Sequence, residues 1–385
     1  MKIKYTILSF LLLLTLGLSA QTKGIGRLVG SNSEASSINI KTYTFKDGSV
    51  YTGEMKGRKP DGKGRTVFTT GDVYEGEYVK GKREGYGVYT FTDGEKYEGE
   101  WYQDQQHGKG IYHFANNNRY DGMWYQDYQQ GKGTMYYYNG DVYEGDWVAD
   151  KREGYGTYTW KNGTRYEGTW KNDMKEGEGT FVWDDGSKYV GGWKDNKRSG
   201  KGVFEYANGD RYVGDWKDDV QDGQGIYYSH SGDRYEGAYK NGEREGEGIC
   251  YFADGNKYVG SYKNGFQNGK GTYTWENGAV YEGEWLNNER SGQGTYHWNT
   301  GDVYVGQWKN NLFDGQGKLT QVDGAEYTGG FAAGLKDGVG TEITKEGTRM
   351  QCTYKEGKKE GPFTEYDKDG NVLRQGIYKN DRLQP

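Results

Sequence analysis

The side chains of this 385-residue chain that could do chemistry are few and scattered. Metal binding or histidine catalysis needs groups that converge, and His107, His113, His230 and His297 are too widely spaced to predict a cluster. Neither Cys250 nor Cys352 has a neighbouring histidine that would make it a nucleophile. Gly-Lys-Gly runs begin at Gly62, Gly108, Gly131, Gly200 and Gly269, but none completes the G-x-x-x-x-G-K-[ST] loop that cradles phosphate. Acidic pairs recur as Glu75/Glu77, Glu98/Glu100, Glu144/Asp146 and Glu282/Glu284. Two carboxylates can hydrolyse a glycosidic bond when their surroundings hold one of them protonated. A pair repeated along the chain fits a solvated face better, so no catalytic residue, metal or cofactor is expected.

Two other sets could recognise a partner. Trp101, Trp124, Trp147, Trp170, Trp193, Trp216, Trp285 and Trp308 form a row of rings flanked by carboxylates, able to stack on sugars or to anchor a protein, or simply to build the fold. Basic pairs stand at Arg58-Lys59, Lys82-Arg83, Lys151-Arg152 and Lys197-Arg198, but acidic residues such as Glu84 and Glu153 sit beside several of them. Attraction to an anionic membrane needs clustered cations, each worth about 1 kcal/mol near the surface.

What positions all of these is a repeat. Tyr-x-Gly-x-aromatic begins at Tyr51, Tyr74, Tyr97, Tyr120, Tyr143, Tyr166, Tyr189, Tyr212, Tyr235, Tyr258, Tyr281, Tyr304 and Tyr327, always 23 residues apart. Thirteen units therefore run from Tyr51 to Arg349 without insertion. In the unit from Tyr143 to Arg165, Tyr143, Gly145 and Trp147 alternate with Glu144 and Asp146, the period of a strand with one apolar face. Val148 to Glu153 is polar and reads as a loop. Gly154, Gly156, Tyr158 and Trp160 then alternate as a second strand, with both glycines on the aromatic face. Asn162-Gly163 closes the unit as a tight turn of the kind that needs two positive φ values. Rings lying over glycines on neighbouring strands would give an aromatic core with no aliphatic layer. The fold predicted is all-β, an elongated single-sheet solenoid of antiparallel hairpins. With strands about 4.8 Å apart it extends roughly 125 Å.

The motif resembles the MORN (membrane occupation and recognition nexus) repeat: Tyr-x-Gly-x-Trp, then Gly-x-Gly eleven residues on, then Asn/Asp-Gly near the end. Departures are Met55 for the first aromatic, Asn117 for a turn glycine, and Gln321 and Thr344 for second-strand aromatics. Lys41 to Val50 matches only a second strand and turn, a half-repeat cap. Residues 350–385 hold a degenerate unit resembling the variant MORN motif of bacterial proteins, with Gly361-Pro362-Phe363 and Asp369-Gly370, and a cap. The resemblance implies scaffolding and homodimerisation. Enzymes that carry such repeats keep a separate catalytic domain, for which the 36 residues after Arg349 are too few.

Met1 to Ala20 reads as a signal peptide: Lys2 and Lys4, an apolar run through Leu18, then Ser19 and Ala20. Residues 21–40 are polar and Ser-rich, a linker. Export to the periplasm, cell envelope or medium is expected. With 67 glycines, 38 tyrosines and only 32% hydrophobic residues, the chain cannot build the aliphatic core of an ordinary α/β enzyme. Its net charge of −6 offers no basic excess for nucleic acid. A protein partner or self-association is the expected function, with glycan binding and anionic-lipid binding as alternatives.

Overall fold

The computed structural model describes residues 40–385. The expected signal peptide and most of the linker, residues 1–39, lie outside the described residues. The described chain is one open sheet of 31 strands. Each strand pairs antiparallel with its chain neighbours, from Ile40–Thr44 through Val50–Lys56 and onward to Arg382–Leu383. The half-unit before Tyr51 contributes the strand Ile40–Thr44, and the degenerate unit contributes Arg349–Lys355 and Lys358–Tyr366. A further strand, Val372–Lys379, follows and was not anticipated.

Each unit repeats a seven-residue strand and a nine-residue strand, as in Val142–Val148 and Lys151–Thr159. Strand alternation is as expected, but the two turns exchange roles. The segment read as a loop from Val148 to Glu153 is only a two-residue turn, Ala149-Asp150. Both residues have positive φ, 46° and 65°. This primed geometry matches the right-handed twist of the flanking strands and lets them pair up to the turn. The Asn162-Gly163 turn needs only one positive φ, 92° at Gly163. Gly163 N donates to Trp160 O at 2.9 Å, Trp160 N donates to Thr164 O at 2.9 Å, and Asn162 Oδ1 accepts from Thr164 N at 3.1 Å. That is a three-residue hairpin loop whose last position is left-handed, and Asn117 occupies it at φ 65° in the third unit.

The second correction concerns glycine. Within the hairpin Tyr143 pairs with Tyr158, Gly145 with Gly156 and Trp147 with Arg152, with a bulge between Gly145 and Trp147. A Cβ on Gly145 or Gly156 would meet Tyr143 Oη at 2.4 and 2.3 Å, so the ring does lie over that pair. Gly154 does not face a ring. It sits in the bulge at φ 67°, beside Asp146 on the opposite face. The bulge frees the Asp146 carbonyl, which accepts from Tyr143 Oη at 3.1 Å.

Two substitutions should therefore act with opposite signs. Gly156→Ala forces a methyl into Tyr143 and should cost about 1–3 kcal/mol. Ala149→Gly relieves a left-handed alanine and should gain up to about 1 kcal/mol. Urea unfolding followed by circular dichroism measures both, and equal midpoints for the two variants would contradict this geometry.

Candidate functional site

The aromatic face is built from one ring-on-ring contact, repeated. Tyr143 sits edge-on between Trp147 of its own unit, at 5.2 Å and 87°, and Trp170 of the next, at 5.4 Å and 83°. Such T-shaped contacts place a ring's positive edge on a negative face. The opening tyrosines from Tyr51 to Tyr304 are fully buried. Seven of the eight indoles in the row also satisfy their N–H: Trp147 Nε1 donates to Gly133 O at 3.1 Å and Trp170 Nε1 to Gly156 O at 3.2 Å. Trp216 is an exception, with no acceptor.

The row proposed as a partner surface is therefore placed in the core. Trp101, Trp124, Trp147, Trp170, Trp193, Trp216, Trp285 and Trp308 are between 4% and 7% exposed. A ring that is edge-packed by tyrosine and hydrogen-bonded to backbone cannot also stack on a sugar. Partly buried second-strand rings such as Tyr112, Tyr137, Trp160 and Trp183 pack against this core.

The basic pairs also have a structural role that the sequence did not show. In three of the pairs the lysine opens the nine-residue strand, and the arginine after it lies on the aromatic face over the tryptophan of the next unit. The Arg83, Arg152 and Arg198 guanidiniums stand 4.2, 4.3 and 4.3 Å from the rings of Trp101, Trp170 and Trp216. Each also binds the following two-residue turn. Arg152 Nε donates to Asp173 Oδ1 at 3.0 Å and Nη2 to Asp173 O at 3.0 Å, and Arg152 N donates to the same carboxylate at 3.0 Å. Each turn aspartate thus ties its unit to the one before. The available signal was a single repeat position that is Arg, Lys or Gln in all units but the two with Pro60 and Phe313, which is hard to recognise before the bulge sets the register.

The acidic pairs lie on the opposite face, among cations and backbone donors. Glu75 pairs with Arg65 at 2.8 Å, and Asp146 with Lys132 at 2.8 Å. The hydrogen bond from Lys96 holds the Glu98 carboxyl below its ordinary range, the wrong direction for a general acid. Glu77, Glu100 and Glu284 stand beside bulge glycines, and Glu144 and Glu282 lie along the same strands. Cys250 and Cys352 are buried free thiols, pushed up by burial and so away from thiolate. His230 bonds Asp210, and His107 sits between Tyr102 and Tyr125. Among the described residues no group of three or more His, Cys, Asp or Glu side chains could hold a metal ion.

The model of the MORN repeat matches thirteen consecutive segments, from residues 51–73 to residues 327–349. The chain belongs to the MORN repeat family. MORN repeats form a non-catalytic scaffold for protein or membrane interaction. No curated protein matches the chain. Among solved structures, it is similar to the TCP10 domain of Danio rerio CPAP in complex with a peptide of Danio rerio STIL: 13% identity, 59% of this chain and 96% of that one, TM-score 0.30. It is also similar to the SAS-4 TCP domain of Drosophila melanogaster, at 14% identity, 40% and 85% coverage and TM-score 0.26. Virginiamycin B lyase from Staphylococcus aureus matches at 10% identity, 80% and 96% coverage and TM-score 0.12. Likenesses this slight carry no inference about the MORN chain.

Two outcomes follow for the MORN core. Arg152→Met removes a cation from three rings and two bonds from the next turn, and should lower stability by about 1–2 kcal/mol, read as a lower urea midpoint. Arg152→Lys should lose less. Alkaline pH should unfold the protein. Burial pushes the Tyr51, Tyr78 and Tyr327 hydroxyls up to about 12 and raises those of Tyr97, Tyr143 and Tyr166 as well. A raised tyrosine stabilises fully below its unfolded value of 10.0 and loses that contribution as pH climbs through the folded value. Lys175, pushed down to about 8 by burial, acts oppositely up to its ordinary 10.5, but it is one group against many. Absorbance at 295 nm should therefore show tyrosinate appearing together with loss of the sheet signal above pH 10. Exposed tyrosines such as Tyr138 can ionise with the sheet intact, but complete ionisation of the buried ones without loss of the sheet would contradict this.

Proposed function

We infer that the chain is an exported, non-catalytic MORN scaffold that holds a protein partner along its sheet or pairs with itself. The observation carrying this is the uninterrupted succession of same-length hairpins in one open sheet. Both faces present shallow troughs, such as one of about 540 Å³ over Val190, Val203, Val213 and Ile226. Extended repeat surfaces suit long partners. Export is supported by the basic start and short apolar run of residues 1–20.

Protein binding is favoured over the two alternatives. Glycan stacking would require the tryptophans that the tyrosines and glycines enclose. Lipid binding would draw on the basic pairs, and one member of several pairs is stacked on indole. Exposed tyrosines, by contrast, stand on the opposite face at Tyr86 and Tyr155, each 52% exposed. Tyrosine supplies large contact area with little conformational freedom to lose, which suits a protein interface.

Pull-down with the chain lacking residues 1–20, followed by cross-linking and mass spectrometry, tests this. Expected is a retained protein, or a second copy, cross-linked to lysines in several repeats. Nothing retained, a monomer by light scattering, and binding to liposomes instead would overturn it.

A further inference from the structure

One position decides what lies over each tryptophan, and in two consecutive units the occupant is neutral. Where Arg83, Arg152 and Arg198 cover the next ring, a glutamine stands at Gln106 and Gln129. The arginines bind the turn aspartates Asp104, Asp173 and Asp219, at 3.5, 3.0 and 3.2 Å. The corresponding turn residues here are Asp127 and Asp150, whose Oδ1 atoms accept only the Gln106 and Gln129 backbone N–H groups, each at 2.8 Å. Both aspartates are exposed, and among the described residues neither forms an ion pair.

The shorter side chains leave room. A trough of about 650 Å³ opens there, walled by Tyr112, Phe114, Tyr137, Trp124 and Trp147, with Asp127 and Asp150 facing it and Arg152, already paired with Asp173, at its edge. Gln106 and Gln129, only 7% and 5% exposed, line it. Gln267 is the internal contrast: it also precedes a tryptophan, Trp285, but its turn partner is Asn288, so no carboxylate waits there.

We propose that this trough binds guanidinium groups from an arginine-bearing, extended segment of a partner protein, which take the place that Arg83, Arg152 and Arg198 fill elsewhere. The chain's own arginines show the mode of binding: ring beneath, carboxylate at Nε, and turn carbonyl at Nη2, as in Arg83 to Asp104 O at 2.6 Å. A carboxylate beside a carbonyl suits the planar fork of guanidinium better than a point-charge ammonium. Asp127 and Asp150 lie two strands apart, roughly 9.6 Å. Three residues of polyproline-II chain rise about 9.3 Å and return to the same face, so arginines three residues apart meet both sites.

The proposal rests on the scaffold function and names one kind of partner for it. Its test is fluorescence anisotropy of a labelled Pro-Arg-Pro-Pro-Arg-Pro peptide against the full chain at low salt, with citrulline replacing both arginines as the control. Citrulline keeps the shape and removes the charge, and should weaken binding about tenfold or more. D127N with D150N should do the same. Asparagine already stands at this turn position in Asn196, Asn288 and Asn311, so the turn is kept. Q106R with Q129R fills the trough from within and should abolish binding while leaving the unfolding midpoint equal or higher. Equal affinity for the citrulline peptide, binding that survives Q106R with Q129R, or no binding of either peptide would each overturn it. If the pull-down still retains a protein partner, the scaffold function stands without this trough. If nothing is retained there, that function fails whatever the peptide does.

Discussion

The structure depends on a phenol lying across two glycines. Tyr143 covers Gly145 of its own strand and Gly156 of the next, where any Cβ would collide with it. The two backbones can pair bare because a ring supplies the apolar cover that their own side chains lack. Burying that ring buries a hydroxyl, which must find an acceptor, and the bulge at Gly154 supplies it by releasing the Asp146 carbonyl. The bulge in turn sets the register that brings Arg152 opposite Trp147 and over Trp170. Ring, glycine pair, bulge and cation are thus linked parts of one arrangement, and changing any one disturbs the others.

This linkage explains which features could be read from the sequence. Strand alternation, the repeat length and the all-β class follow from near neighbours in the chain, so Tyr143, Gly145 and Trp147 were enough. The turns were harder because Val148 to Glu153 and Lys161 to Thr164 are both polar. Polarity does not distinguish a six-residue loop from a two-residue turn flanked by charged strand positions. Gly154 looked like Gly156 because alternation predicts the same face for both, and only a bulge separates them. The arginine position was least legible: its partners are a ring 18 residues on and a turn 21 residues on, in another hairpin.

The tryptophan row illustrates how conspicuous residues can mislead about function. What recurs in every unit serves what every unit needs, which is packing against its neighbours. Recognition is better sought where the repeat departs from itself. Gln106 and Gln129 change the aromatic face in one place, and the Tyr-Val-Gly sequences at Tyr189 and Tyr212 give the opposite face an apolar strip in another. The register aligns Val190 with Val203, Val203 with Val213, and Val213 with Ile226.

Pairing every strand with its chain neighbour also has a mechanical consequence. A pull that separates the two ends of the sheet loads its hydrogen bonds one row at a time, as in unzipping, rather than shearing many together. The turn staples, such as Asp173 to Arg152, resist first and then release one hairpin. A released 23-residue unit goes from about 9.6 Å of stacked strands to roughly 75 Å of extended chain. Under tension such a chain lengthens in uniform steps and refolds hairpin by hairpin, each unit using its neighbour as a template.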